Sequence, residues 1–130
     1  MEDVKIRFNF KARMKNECEE AEHQGTECGR QAAYNALEAL ERLIFEIQVN
    51  AVEIRLNAIW PCWSVKKLGE SPEWAPEPKA YTRLIGVECR HAFKEAFRKA
   101  FCEEFEKVDI HIEGSPGKAE WSRYNYFAQK

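Results

Sequence analysis

The chain has 130 residues, 45% of them apolar and 32% charged, with a formal charge of −2 at pH 7. This is the size and balance of one soluble globular domain, 1–130, and the near-neutral charge excludes attachment to nucleic acid through bulk positive charge. No apolar run approaches the ~18 residues that span a bilayer, which excludes a membrane-spanning helix.

From Val4 to Met14 apolar residues alternate with Lys5, Arg7, Asn9, Lys11 and Arg13. Strand side chains point to opposite faces at every second residue, so this segment is expected to be a β-strand with an apolar side and a basic side. A polar stretch follows from Lys15 to Cys28, with Gly25 and Gly29 as breakers. Ala33, Leu37, Leu40, Ile44 and Ile47 then recur at helical spacing, and Asn50 is a candidate helix stop. Beyond it, Val52, Ile54, Leu56, Ala58 and Trp60 alternate with Glu53, Arg55 and Asn57 as a second strand, the alternative being a continued helix.

Residues 61–79 hold four prolines and two tryptophans, with Trp60 beside them, and read as one long loop. A second helix is expected from Ala80 to Lys107, carrying Phe93, Phe97, Phe101 and Phe105 as an apolar stripe flanked by Arg90, Lys94 and Arg98. Val108, Ile110 and Ile112 form a third strand, and residues 119–127 form a fourth, joined to it as a hairpin by Gly114-Ser-Pro-Gly117.

The resulting order is β-α-β-α-β-β. It describes an α/β (α+β) two-layer sandwich, a mixed four-stranded sheet with both helices packed on one face and right-handed crossovers between parallel strands. This order resembles that of the Alba proteins, of the C-terminal domain of translation initiation factor three and of the RusA-type junction resolvases. The resemblance lies in element order alone. The resolvases place clustered aspartates after the second strand, where this chain has Glu70, Glu73 and Glu77.

Several constellations could carry function. Cations at alternate strand positions stand ~6.6–6.8 Å apart, close to the phosphate spacing of an extended single strand. Lys5, Arg7, Lys11, Arg13 and Arg55, with Lys66 and Lys67 from the loop, are therefore candidate nucleic-acid contacts; the competing reading is a solvated face whose cations pair with Glu53, Asp109 and Glu113. Trp63 and Trp74 are candidate protein-binding residues, the alternative being that they close the open end of the core. Cys18, His23 and Cys28 match three of four ligands of a zinc knuckle, but Lys15 occupies the place of the first, so no metal is expected. No fingerprint of a nucleophile, phosphate loop or dinucleotide site occurs, and no cofactor is expected. His111 is the best-placed base, and Glu70, Glu73 and Glu77 would be the Mg²⁺ ligands of a nuclease.

The beginning of the sequence has no signal-peptide core, and its five cysteines contain no CxxC pair, so a cytoplasmic protein with reduced thiols is expected. The sequence favours a non-enzymatic binding protein that contacts nucleic acid through a basic sheet face. Its alternative is a small stoichiometric inhibitor or adaptor, of the kind found among phage accessory proteins, that binds a protein partner through the Trp-rich 60–79 loop. A metal-dependent nuclease ranks third, and a homodimer built on an open sheet edge is compatible with the first two.

Overall fold

A computed structural model of the chain describes residues 2–46, 51–57, 59–108 and 121–127, with side chains described over 16–46, 52–57 and 59–108. Its elements are a long helix α1 (Glu2–Glu41) that ends in a wide π-type turn over Arg42–Glu46, strands β1 (Ala51–Asn57) and β2 (Trp63–Lys67), a one-turn helix α2 (Lys79–Thr82), helix α3 (Val87–Glu106) and strand β3 (Trp121–Phe127). Among the described residues the sheet has three strands in the order β2-β1-β3, and both pairings are antiparallel. The expected mixed four-stranded sheet in a β-α-β-α-β-β order is thus corrected to two long helices against a small antiparallel sheet. The likeness in element order to Alba, initiation factor three and the resolvases goes with it.

The largest correction is at the N-terminus, where residues 4–14 belong to α1 rather than to a strand. Their alternation is compatible with both geometries, because Val4, Phe8 and Ala12 recur every four residues, as do Ile6, Phe10 and Met14. The residues from Lys11 to Glu22 are rich in Ala, Arg, Lys, Met and Glu, all good helix formers. Gly25 and Gly29 do not break this helix either. They lie in its interior and are buried.

The reason is packing against α3. A side chain built on Gly25 would put its Cβ 2.5 Å from the carbonyl oxygen of Phe93 and 3.1 Å from the Cβ of Ala96. The same construction on Gly29 meets the Phe97 carbonyl oxygen at 2.5 Å and the Cβ of Ala100 at 3.0 Å. Residue numbers rise together along the two helices, so α1 and α3 run parallel. Ala21, Gly25, Gly29 and Ala33, spaced by four, form the small-residue seam that admits this approach, and Ala21 and Ala33 are fully buried. The glycine hydrogens aimed at the two carbonyls have the arrangement of Cα–H···O contacts.

The helix expected over 80–107 exists in two pieces. Leu84 donates its N–H to the carbonyl of Tyr81, and Gly86 then takes φ 97°, ψ 145° before α3 starts. Phe93, Phe97, Phe101 and Phe105 are completely buried, and successive rings lie 6.4, 6.2 and 4.9 Å apart. Tyr81 continues the row at 5.4 Å from Phe93, and Trp60 at 6.2 Å from Tyr81. Val52, Ile54 and Leu56 of β1 join these rings in one core cluster.

The second strand is present over Ala51–Asn57, shorter than the alternation suggests, since Trp60 lies in the turn that follows it. The 61–79 loop is shorter than expected because it contains β2. Asn57 organises the turn between β1 and β2: its Oδ1 accepts the N–H groups of Ile59 and Trp60, and its own N–H donates to the Cys62 carbonyl. The fourth strand is also present, as β3, but its described partner is β1. The expected third strand (109–112), the hairpin turn (114–117) and the helix stop at Asn50 fall outside the described residues.

Gly25→Ala and Gly29→Ala are each expected to lower the unfolding free energy by ~1–3 kcal/mol, although alanine is the better helix former. Urea denaturation measures this; an unchanged or higher midpoint would show that α1 and α3 do not touch here.

Candidate functional site

The alternation of β1 sends Val52, Ile54 and Leu56 into the core and Glu53 and Arg55 to the other side of the sheet. Glu53 stands directly opposite Lys66 in the strand register, and Arg55 opposite Ser64. All four are withdrawn from solvent: Glu53 is 3% exposed, Lys66 7% and Ser64 1%, and the Arg55 side chain is 20% exposed. Lys66 Nζ donates to Glu53 Oε1 at 3.1 Å, and Arg55 Nε pairs with the same oxygen. Burial pushes the Glu53 carboxyl up, but hydrogen bonds and charge from Lys66 and Arg55 outweigh it and hold the group below the usual carboxylate range.

This rearranges the basic row. Lys5, Arg7, Lys11 and Arg13 lie on α1, where residues two apart turn ~200° about the axis, so they do not line one strand face. Arg55 and Lys66 face inward onto Glu53. Of the two loop lysines only Lys67 is exposed. This is not the solvated face with pairs across strands that the sequence offers as the competing reading: Arg55 is a neighbour of Glu53 on the same strand, Lys66 stands on β2 rather than in a loop, and the cluster is withdrawn from solvent.

The tryptophans separate into different environments. Trp63 lies on β2 opposite Leu56, half-buried against the core. Trp74 is half-buried in the segment that crosses the edge of β2, where Ala75 donates its N–H to the Trp63 carbonyl at 2.8 Å. Between this segment and α1 lies a cleft of about 300 Å³, walled by Trp63, Phe97, Pro76 and Pro78 with Cys28 and Asn35 on the helix side. Among the tryptophans with described side chains Trp60 is the exposed one, at 45%, with its ring edge-on to the buried Tyr81.

The buried Tyr81 underlies a second surface that the sequence did not single out. Arg90 stacks over its ring at 5.9 Å and donates through Nε to the Leu84 carbonyl at 3.1 Å, which ties α3 to the turn before it. On either side of Gly86, Ile85 is 90% exposed and Val87 84%. Both lie within the helix that was expected to be continuous. The available signal was an Ile-Gly-Val triplet placed off the phenylalanine stripe.

Metal and catalytic candidates do not converge. Cys18, His23 and Cys28 sit on α1 at steps of five residues, each step turning ~140° about the axis, so they face different directions. Cys18 instead meets Cys89 of α3, His23 is exposed, and Cys28 faces the cleft. Glu70, Glu73 and Glu77 are exposed along the segment after β2. Among the described residues no group of His, Cys, Asp and Glu is arranged to hold a metal ion. His111 lies outside them. Burial pushes the thiols of Cys28, Cys62 and Cys102 up, Cys62 to about 11, so none of the three is an activated nucleophile at neutral pH. No described helix is long and apolar enough to cross a membrane.

Comparison with known protein families, with curated proteins and with solved structures gives no match.

Removing Glu53 leaves two inward-facing cations uncompensated, so Glu53→Gln is expected to cost ~3 kcal/mol. Because the folded-state pKa is depressed, the carboxylate contributes fully above its unfolded value of about 4.3, and that contribution is lost as pH falls through the folded value. Urea midpoints measured between pH 7 and 3 should therefore fall more steeply for the wild type than for Glu53→Gln. Parallel curves would contradict the ion pair.

Proposed function

We propose that this chain is a non-enzymatic binding module that engages a partner protein through the surface around the start of α3, formed by Trp60, Ile85, Val87 and Arg90 over the buried Tyr81. The observation that carries this reading is the near-complete exposure of Ile85 and Val87, 90% and 84%, on the two sides of Gly86. Apolar side chains this accessible are the material of an interface core, and Trp and Arg, here Trp60 and Arg90, are among the residue types that dominate interface energetics. The support beneath them is rigid. Trp60 rests on Tyr81, Tyr81 on Phe93, and Arg90 is held by both the Tyr81 ring and the Leu84 carbonyl.

The reading also draws on what the cations do. Nucleic-acid association through a sheet face needs cations directed at solvent, and Arg55 and Lys66 are turned onto Glu53 instead. The partner is a protein with an apolar face, contacted at a site adjacent to the Trp-rich segment rather than through Trp63 and Trp74.

A photo-crosslinking residue placed at position 85, in cells of the source organism, should capture a partner that the same residue at exposed Glu103 does not. With the captured protein purified, Ile85→Glu and Val87→Glu should each weaken binding at least ~10-fold, equivalent to about 1.4 kcal/mol, with unchanged circular dichroism and melting. Binding should change little between 50 and 500 mM salt. Tight oligonucleotide binding that falls steeply with salt and ignores Ile85→Glu would overturn the proposal. A dimer of the chain dissolved by Ile85→Glu would identify the partner as a second copy.

A further inference from the structure

The parallel contact of α1 and α3 brings together two cysteines 71 residues apart in sequence. Cys18 Sγ and Cys89 Sγ lie 3.2 Å from one another, within sulfur hydrogen-bond distance. They differ in access: Cys89 is buried at 7% exposure, and Cys18 is half-buried at the edge of the seam. The pair sits one turn from Ala21 and at the first turn of α3, where a covalent link would tie the start of that helix to α1. Of the other free thiols, Cys28 shares α1 with Cys18 but lines the cleft, Cys102 shares α3 with Cys89 but lies near its end, and Cys62 precedes β2.

We propose that Cys18 and Cys89 are a dithiol–disulfide modification site, oxidised by a small-molecule disulfide such as oxidised glutathione, and that the product disulfide clasps the start of α3 to α1. The reaction takes two steps. The Cys18 thiolate attacks one sulfur of the oxidised glutathione, forming a mixed disulfide and releasing one glutathione thiol. The Cys89 sulfur, already in contact, then loses its proton and displaces the second glutathione from Cys18. Two protein thiols are oxidised to one disulfide, and one glutathione disulfide is reduced to two thiols.

Burial decides the order of events. Cys18 is the sulfur a tripeptide can reach, and Cys89 reacts only from within the fold. The hydrogen bond with Cys18, then burial, then the nearby carboxylates of Glu17 and Glu88, push the Cys89 thiol up to about 11. The contact between the two sulfurs favours closure of the mixed disulfide over its persistence. Cross-linking residues this far apart in sequence also removes much of the unfolded chain's freedom, which stabilises the oxidised fold.

The full-length reduced protein is incubated with oxidised glutathione at pH 8, quenched in acid and digested. The expected product is 2 Da lighter than the reduced chain and yields one cross-linked peptide joining Cys18 to Cys89, with Cys28, Cys62 and Cys102 still open to alkylation. Its melting temperature should rise by ~10 °C over the reduced form. Cys89→Ala should stop the reaction at a glutathione adduct on Cys18, and Cys18→Ala should leave Cys89 unmodified. Persistence of the adduct on Cys18 in the wild type, or a disulfide joining any other pair, would overturn the proposal; peptide mapping of the wild type decides this even where a variant fails to fold.

Discussion

The close approach of α1 and α3 is the constraint on which the remaining architecture depends. Two glycines in the middle of a helix each forfeit about 1 kcal/mol of helix propensity relative to alanine. They are tolerated because each lets a backbone carbonyl of the facing helix come as near as a side chain would otherwise stand. That proximity sets the axial register of the two helices. It aligns Gly25 with Phe93 and Gly29 with Phe97, and so places Cys18 on Cys89 one helical stretch earlier.

Once α3 is locked against α1, its phenylalanines have only one side left to fill. Phe93, Phe97, Phe101 and Phe105 form a continuous row that covers the apolar side of β1, and the row extends through Tyr81 to Trp60 at the surface. A buried aromatic chain that ends in an exposed tryptophan connects the core to the proposed docking surface by direct contact. The break at Gly86 serves the same end. It lets the chain turn between Tyr81, which is in the core, and Val87, which is outside it.

On the opposite side of the sheet the same pleat withdraws charge from solvent. Glu53 carries two cations, and its low exposure strengthens each interaction while raising the penalty for any one left alone. Such an arrangement favours a unique strand register, because a slip of one residue would send Glu53 into the apolar core and Ile54 into the ion cluster. The charges thus specify pairing, which is a structural use of residues that on an open face would have been contacts for a ligand.

The sequence by itself determined the elements whose pattern is local: the helical repeat from Ala33 onward, the phenylalanine stripe of α3 and the aromatic strand β3, while over β1 it favoured a strand and left a continued helix open. It left open whatever depends on what lies opposite. Residues 4–14 satisfy a period of two and a period of four together, so only the helix continuing behind them decides between strand and helix. Gly25 and Gly29 read as breakers because their compensation comes from carbonyls 68 positions away, and no local window contains both. Lys66 read as a loop cation because nothing near it in sequence shows that Glu53 stands across from it. Tertiary structure decided these points, since long-range contact, unlike propensity, leaves no periodic trace in the chain.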